Sequence, residues 1–238
     1  MDLTSQIRTS LQAQNFPAPS IPWTTTLTSR VPTPPLPSLI ATAKARLVAS
    51  DLTTPNLLDS TTPCLPPVDP QKAEALLTQN VPCQILDIEN LTLSRWEQVE
   101  ELEAIARGEQ TTGRRVVRLT AEESEYDNVD EGAGRTQPHP QPQQQPQRKN
   151  ATHRLVLQDC KGQKLHALEL KRIEKLGIGS TNIGEKLMLK SGTIIARGTV
   201  LLEPEKCVTL GGKVDAWQRA WFDGRLARLK EAAGGQEA

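Results

Sequence analysis

Residues 121–147 cannot contribute to a hydrophobic core, and any fold this chain adopts must route around them. Glu122, Glu123, Glu125, Asp127, Asp130 and Glu131 precede a Gln/Pro-rich run from Gln137 to Gln147. Acidic, Pro-rich composition with few apolar residues predicts disorder. A strand-like segment precedes the stretch and strands resume directly after it. It therefore reads as a long disordered insertion inside one domain, at about 113–149, and not as a linker between two domains.

Downstream of the insertion the pattern is short strands punctuated by turns. His153–Asp159 and Leu165–Leu170 flank Cys160–Lys164, a hairpin centred on Gly162. Lys186–Lys190 leads through Ser191 and Gly192 into Thr193–Arg197, Gly198 turns the chain into Thr199–Glu203, and Cys207–Leu210 makes a last strand before Gly211 and Gly212. From Lys213 a terminal helix, to about residue 232, carries Val214, Trp217 and Trp221 on one side. Short strands closed by turns and followed by a helix indicate a small barrel.

Upstream, Gln84–Leu91 is strand-like. Ser94-Arg95-Trp96-Glu97 has the form of a capping box that opens a helix. Trp96, Val99, Leu102 and Ile105 are expected on its packed side, with Glu97, Glu100, Glu101 and Glu103 facing water and Gly108 ending it. The first eighty residues are broken by Pro17, Pro22, Pro32, Pro34, Pro35 and Pro37, which excludes long helices there. Ser38–Ala49 is rich in helix formers, with Leu39, Ala43 and Leu47 at helical spacing and Ser38 as a candidate N-cap. Pro70–Thr78 reads as another short helix capped by Asp69. The fold class is therefore α+β, with a small helical region over 1–80 and a barrel domain over 81–238.

The 28 basic and 28 acidic residues are unevenly placed. Residues 148–238 hold 17 Lys or Arg against 10 Asp or Glu, which leaves 11 against 18 in residues 1–147. A basic half can attract phosphate or an acidic protein surface, or can simply be solvated. Cys64, Cys83, Cys160 and Cys207 show no metal-ligand spacing with the histidines and are expected to be reduced and mostly buried. No run approaches the roughly 18 apolar residues of a membrane span, so the expectation is a soluble, intracellular protein that needs no cofactor.

Catalytic patterns fail on inspection. Gly177, Gly179 and Gly184 resemble a phosphate loop only superficially, because Glu185 stands where a Walker A motif needs Lys, and Leu187 where it needs Ser or Thr. His153, Cys160 and His166 lie on or beside adjacent strands without the partners of a nucleophilic or metal site. An enzyme is not expected.

The wording of the sequence is more specific than its pattern. Arg154–Gly162, Gly184–Leu189 and above all Gly198-Thr-Val-Leu-Leu-Glu-Pro-Glu-Lys-Cys-Val-Thr-Leu-Gly-Gly-Lys-Val214 resemble the RecQ-mediated genome instability protein family over about residues 35–230. Ser50-Asp51-Leu52 and the Pro-rich descent Pro63–Pro67 match the end of that family's helical bundle and its entry into the first barrel strand. The resemblance implies an OB-fold subunit without catalysis, located in the nucleus, that binds a type III DNA topoisomerase and a RecQ-family helicase and promotes dissolution of recombination intermediates such as double Holliday junctions. It further implies that the insertion, with its six carboxylates, lies where the family reaches into the topoisomerase gate. Leu168, Glu169, Lys171 and Lys186, at or near strand ends in or close to the matching stretches, are the candidate partner-binding residues. The competing reading is an autonomous single-stranded-DNA-binding OB-fold protein. The barrel strands lack the aromatic platforms on which bases stack, so any direct DNA contact should be weak and electrostatic.

Overall fold

The computed structural model describes residues 2–29, 32–67, 69–107 and 151–234. The insertion residues Glu122, Glu123, Glu125, Asp127, Asp130 and Glu131 lie outside the described residues, as does Gly108.

Three helices build the N-terminal unit: α1 (Leu3–Ala13), α2 (Ile21–Thr28) and α3 (Leu36–Ala49). Ile7 and Leu11 of α1, Leu27 of α2, and Leu39, Ala43 and Leu47 of α3 meet in one core that also takes in Phe16, Leu52 and Leu57. The apolar spacing in α3 is the one the sequence predicts. Its N-cap is Pro35, however, not Ser38, because Pro37 fits the first turn, where no amide partner is needed. Helices α1 and α2 are not anticipated by the sequence reading. Pro22 reads as a breaker but sits in the first turn of α2, which Ser20 opens by accepting a hydrogen bond from the Trp23 amide at 3.2 Å.

The expected helix over Pro70–Thr78 does not form. The Asp69 carboxylate instead accepts from the Gln71 amide in a tight turn. The chain then extends into β1 (Ala75–Leu76), which pairs with β6 (Ile194–Ala196). A strand partner more than a hundred residues away outweighs the local helix signal.

The remaining elements are β2 (Val81–Asn90), α4 (Arg95–Ala106), β3 (His153–Asp159), β4 (Lys164–Glu169), β5 (Lys186–Leu189), β7 (Thr199–Leu202), β8 (Cys207–Gly211) and α5 (Asp215–Gly234). The strands form one curled sheet in the order β1-β6-β7-β4-β3-β2-β5-β8, with β4 and β7 parallel and every other pair antiparallel. This is an OB-fold domain with helices added. Its core is aliphatic, centred on Ile85, Leu155, Leu157, Leu187, Leu189, Val200 and Leu202. Strand β3 alternates inward and outward along its length, as a half-buried antiparallel strand should.

The capping box at Ser94 is present, with Ser94 Oγ accepting from the Glu97 amide and the Glu97 carboxylate accepting from the Ser94 amide. The packed face of α4 differs from the expected one. Gln98, Val99 and Ala104 are buried, whereas Trp96 is 58% and Ile105 43% exposed. Glu103 does not simply face water: it pairs with Lys230 of α5 at 2.6 Å. Helix α5 buries Trp221, half-buries Trp217, and leaves Phe222 exposed against the Trp221 edge. Phe222 is thus not a barrel-packing residue.

Candidate functional site

The helical unit and the sheet meet along a built seam. Gln84, fully buried on β2, accepts from the Leu52 amide at 2.9 Å and donates to Asp51 at 2.6 Å and to Gln158 at 3.1 Å. One amide side chain thereby satisfies the Ser50-Asp51-Leu52 segment after α3 and ties it to two strands. The Asp51 carboxyl is pulled up by burial, but the hydrogen bonds from Gln84 and Thr53 and the nearby Lys186 charge outweigh this and hold it below its ordinary value. Gly212, at φ +90°, lies against α3 so closely that a Cβ there would stand 2.4 Å from the Val48 carbonyl oxygen. Gly184, at φ +83°, faces Val214 in the same way, with an added Cβ 2.6 Å from the Val214 amide nitrogen. Both glycines belong to the stretches that make the sequence recognisable, and close backbone approach is the reason only glycine serves.

Lys186 lies beneath this seam. Its side chain is 2% exposed, and its ammonium donates to the Gly184 carbonyl. Burial pulls its pKa down to about 8, with Asp51 and Glu185 nearby opposing the shift.

A second buried network fixes the exit from β4. Glu169 Oε2 accepts from the His153 amide at 3.1 Å and from His153 Nδ1 at 2.8 Å, and Oε1 accepts from Arg172 at 2.9 Å and from the Ile173 amide at 2.6 Å. Arg172 also donates to the carbonyls of Ile173 and Leu176. Burial raises the Glu169 carboxyl, but the bonds from His153, Ile173 and Arg172 outweigh it and hold the group ionised below the usual carboxylate range. The network shapes the segment after β4, where Leu170 is 52% exposed and Lys171 pairs with Glu203 at 2.9 Å on the surface.

The structure thus separates the four candidate partner-binding residues. Lys171 is exposed and Leu168 half-buried, so both have atoms accessible to solvent. Glu169, at 4% exposure, and Lys186 are interior and can act on a surface only through the backbone they position. Gln84 was not singled out by sequence reasoning, and Gly212 appeared there only within the Gly198–Val214 run and after the last strand, not as a contact to α3. The one signal for Gln84 is a lone amide in the otherwise apolar opening of β2.

Helix α4, which ends just before the stretch outside the described residues, packs against α5. Arg95 donates to the Ala232 carbonyl at 3.1 Å, and the Arg225 and Arg228 guanidinium groups lie 5.3 and 5.8 Å from the centre of the Trp221 ring. Arg107 at the end of α4 and Ala151 before β3 are the described residues that flank the insertion. Among the described residues no three His, Cys, Asp or Glu side chains gather as metal ligands, and no helix is long and apolar enough to cross a membrane. Of the four thiols, Cys83 and Cys207 are buried and Cys64 and Cys160 half-buried.

Comparison with known proteins matches both units. Residues 6–55 fit the family model described as RMI1, N-terminal helical domain, and residues 61–225 fit that described as RMI1, N-terminal OB-fold domain. The chain is also similar to RecQ-mediated genome instability protein 1 of Schizosaccharomyces pombe (strain 972 / ATCC 24843), at 27% identity over 188 residues that cover 78% of this chain and 79% of the relative.

Proposed function

Starting from the fact that this chain belongs to the RMI1 family, we propose that it serves genome stability as a nuclear, non-catalytic scaffold for a type III DNA topoisomerase and a RecQ-family helicase. In this role it promotes dissolution of recombination intermediates such as double Holliday junctions. The observation that carries the reading is the joint match to the helical and OB-fold units, together with the seam of Gln84, Asp51 and Gly212 that holds the two as one body. A scaffold needs a fixed relation between its surfaces, and this seam supplies one. The name of the fission yeast relative supports the helicase pathway.

The surfaces we assign to partners are the exposed residues after β4, Leu170 and Lys171, with the neighbouring Leu168, and the insertion between α4 and β3. The experiment is co-precipitation of the full chain with purified type III topoisomerase and with a RecQ helicase across a salt series. Retention at high salt supports apolar protein contacts. Retention of single-stranded DNA that collapses with salt, without a protein complex, would favour the DNA-binding reading, because phosphate contacts are screened.

A further inference from the structure

Cys64 and Cys160 lie on two segments that run side by side, the linker after the helical unit and the β3–β4 turn, each next to a residue of the bond from the Leu65 amide to Asp159. Two hydrogen bonds lay the linker along that turn: the Leu65 amide donates to Asp159 Oδ2 at 2.9 Å, and the Gln163 side-chain amide donates to the Pro66 carbonyl. Asp159 is itself held by accepting from the Lys161 and Gln163 amides, both at 2.9 Å. Cys160 packs against the core of the helical unit, from which the linker emerges. Both thiols are free and half-buried, and Cys64 is near enough to help push the Cys160 thiol up. Cys83 and Cys207 are enclosed in the sheet core instead.

We infer that Cys64 and Cys160 are a redox-modification site, a thiol pair that a small-molecule disulfide converts reversibly into an intramolecular Cys64–Cys160 bond. With glutathione disulfide as oxidant, the Cys64 thiolate attacks one glutathione sulfur, forming a mixed disulfide and expelling one glutathione thiolate. The Cys160 thiolate then attacks the Cys64 sulfur, and the second glutathione thiolate leaves. Two protein thiols have given up two electrons and two protons, and one glutathione disulfide has become two thiols. Burial, the Asp159 carboxylate and Cys64 push the Cys160 thiol up, so the second step quickens as pH rises. The product staples the linker to the β3–β4 turn.

The test incubates the full chain with glutathione disulfide at mildly alkaline pH, blocks residual thiols with N-ethylmaleimide, and maps peptides by mass spectrometry without reduction. The expected product is a Cys64 peptide joined to a Cys160 peptide, with Cys83 and Cys207 alkylated after unfolding and the bond lost on adding dithiothreitol. Cys160→Ser should stop at the Cys64 glutathione adduct. The oxidised wild type should melt at a higher temperature than the reduced protein, a difference absent in Cys160→Ser. Separate glutathione adducts on the two cysteines, a bond involving Cys83 or Cys207, or four unreacted thiols would overturn the assignment.

Discussion

The Trp221 indole donates a hydrogen bond to Asp87 Oδ1 at 2.6 Å, seating α5 on the bulge where the β2–β3 register shifts between Ile85 and Asp87. A bulge re-aims side chains locally, and here it turns a carboxylate toward the helix that covers it.

Trp221→Ala should therefore cost about 3–5 kcal/mol, the usual range for a buried Trp. Trp221→Phe keeps an aromatic ring but removes the N–H donor to Asp87, and should cost about 1–2 kcal/mol. Trp217, half-buried against the same core, should cost less than Trp221 when cut to Ala. Urea unfolding of the three variants measures this, and equal losses for the two alanine variants would contradict the ranking.

The parts legible in the sequence are those whose signal is local. Ser94 and Glu97 form the capping box within four residues, Leu39, Ala43 and Leu47 share a face through helical periodicity alone, and β3 shows its alternation without a partner. What was illegible depends on distant contacts. Asp69 looks like an N-cap until β6 claims Ala75 and Leu76. Trp96 looks like a core residue until α5 fixes which face of α4 is covered, and Lys186 looks like a surface charge until the helical unit closes over it. The seam was hidden for the same reason, since Gln84 and Leu52 are 32 residues apart.

Gly212→Ala should loosen the helical unit from the sheet. Gly211, at φ +81°, has open space where its Cβ would stand, whereas a Cβ at Gly212, at φ +90°, strikes Val48. Both substitutions carry the strain of a positive φ, so their difference isolates the close approach. Gly212→Ala should be the more destabilising by about 1–3 kcal/mol, the usual cost of overpacking. Thermal melting compares the two, and equal shifts would mean that the α3 contact contributes nothing.

Lys186→Met should stabilise the protein at neutral pH and flatten its alkaline stability profile. The folded pKa of about 8 lies below the ordinary 10.5, so between these values the unfolded chain binds more protons and stability rises with pH. The full penalty of the buried charge is present below about 8 and has disappeared above about 10.5. Its upper size is about 3 kcal/mol by linkage, reduced by the lost bond to the Gly184 carbonyl. The difference between wild type and Lys186→Met in unfolding free energy, followed from pH 7 to 10, should shrink across this window. A constant difference would show that Lys186 titrates normally.

Glu169→Gln should alter the acid limb instead. The folded carboxyl is held below its ordinary 4.5, so its contribution is fully present above that value and is lost as pH falls through the lower folded pKa. Gln cannot supply ionised acceptors to His153, Arg172 and the Ile173 amide, and should cost about 1.5–3 kcal/mol at pH 7, the range for hydrogen bonds to charged groups. The deficit relative to wild type should narrow below pH 4.5. A deficit independent of pH would mean that the carboxyl is not preferentially ionised in the folded state.

Deleting residues 113–149 and joining the ends with a short linker tests the insertion without touching the fold that flanks it. Helix α4 is held by its capping box, by Glu103 against Lys230 and by Arg95 against the Ala232 carbonyl. Strand β3 begins at His153, which Glu169 holds through two bonds, and pairs with β2 from Cys83 to Asn90. Neither anchor draws on the deleted stretch. Loop-closure entropy changes by only about 0.6 kcal/mol per doubling of length, so the shortened chain should melt within a few degrees of the original. If the insertion acts at the topoisomerase gate, its six carboxylates compete with DNA phosphates for basic residues there, and the deletion should change decatenation by a type III topoisomerase while binding through the exposed residues after β4 persists. Equal stimulation by intact and shortened protein would remove the insertion from that role, whereas an unfolded deletion variant would show that part of the stretch belongs to the sheet.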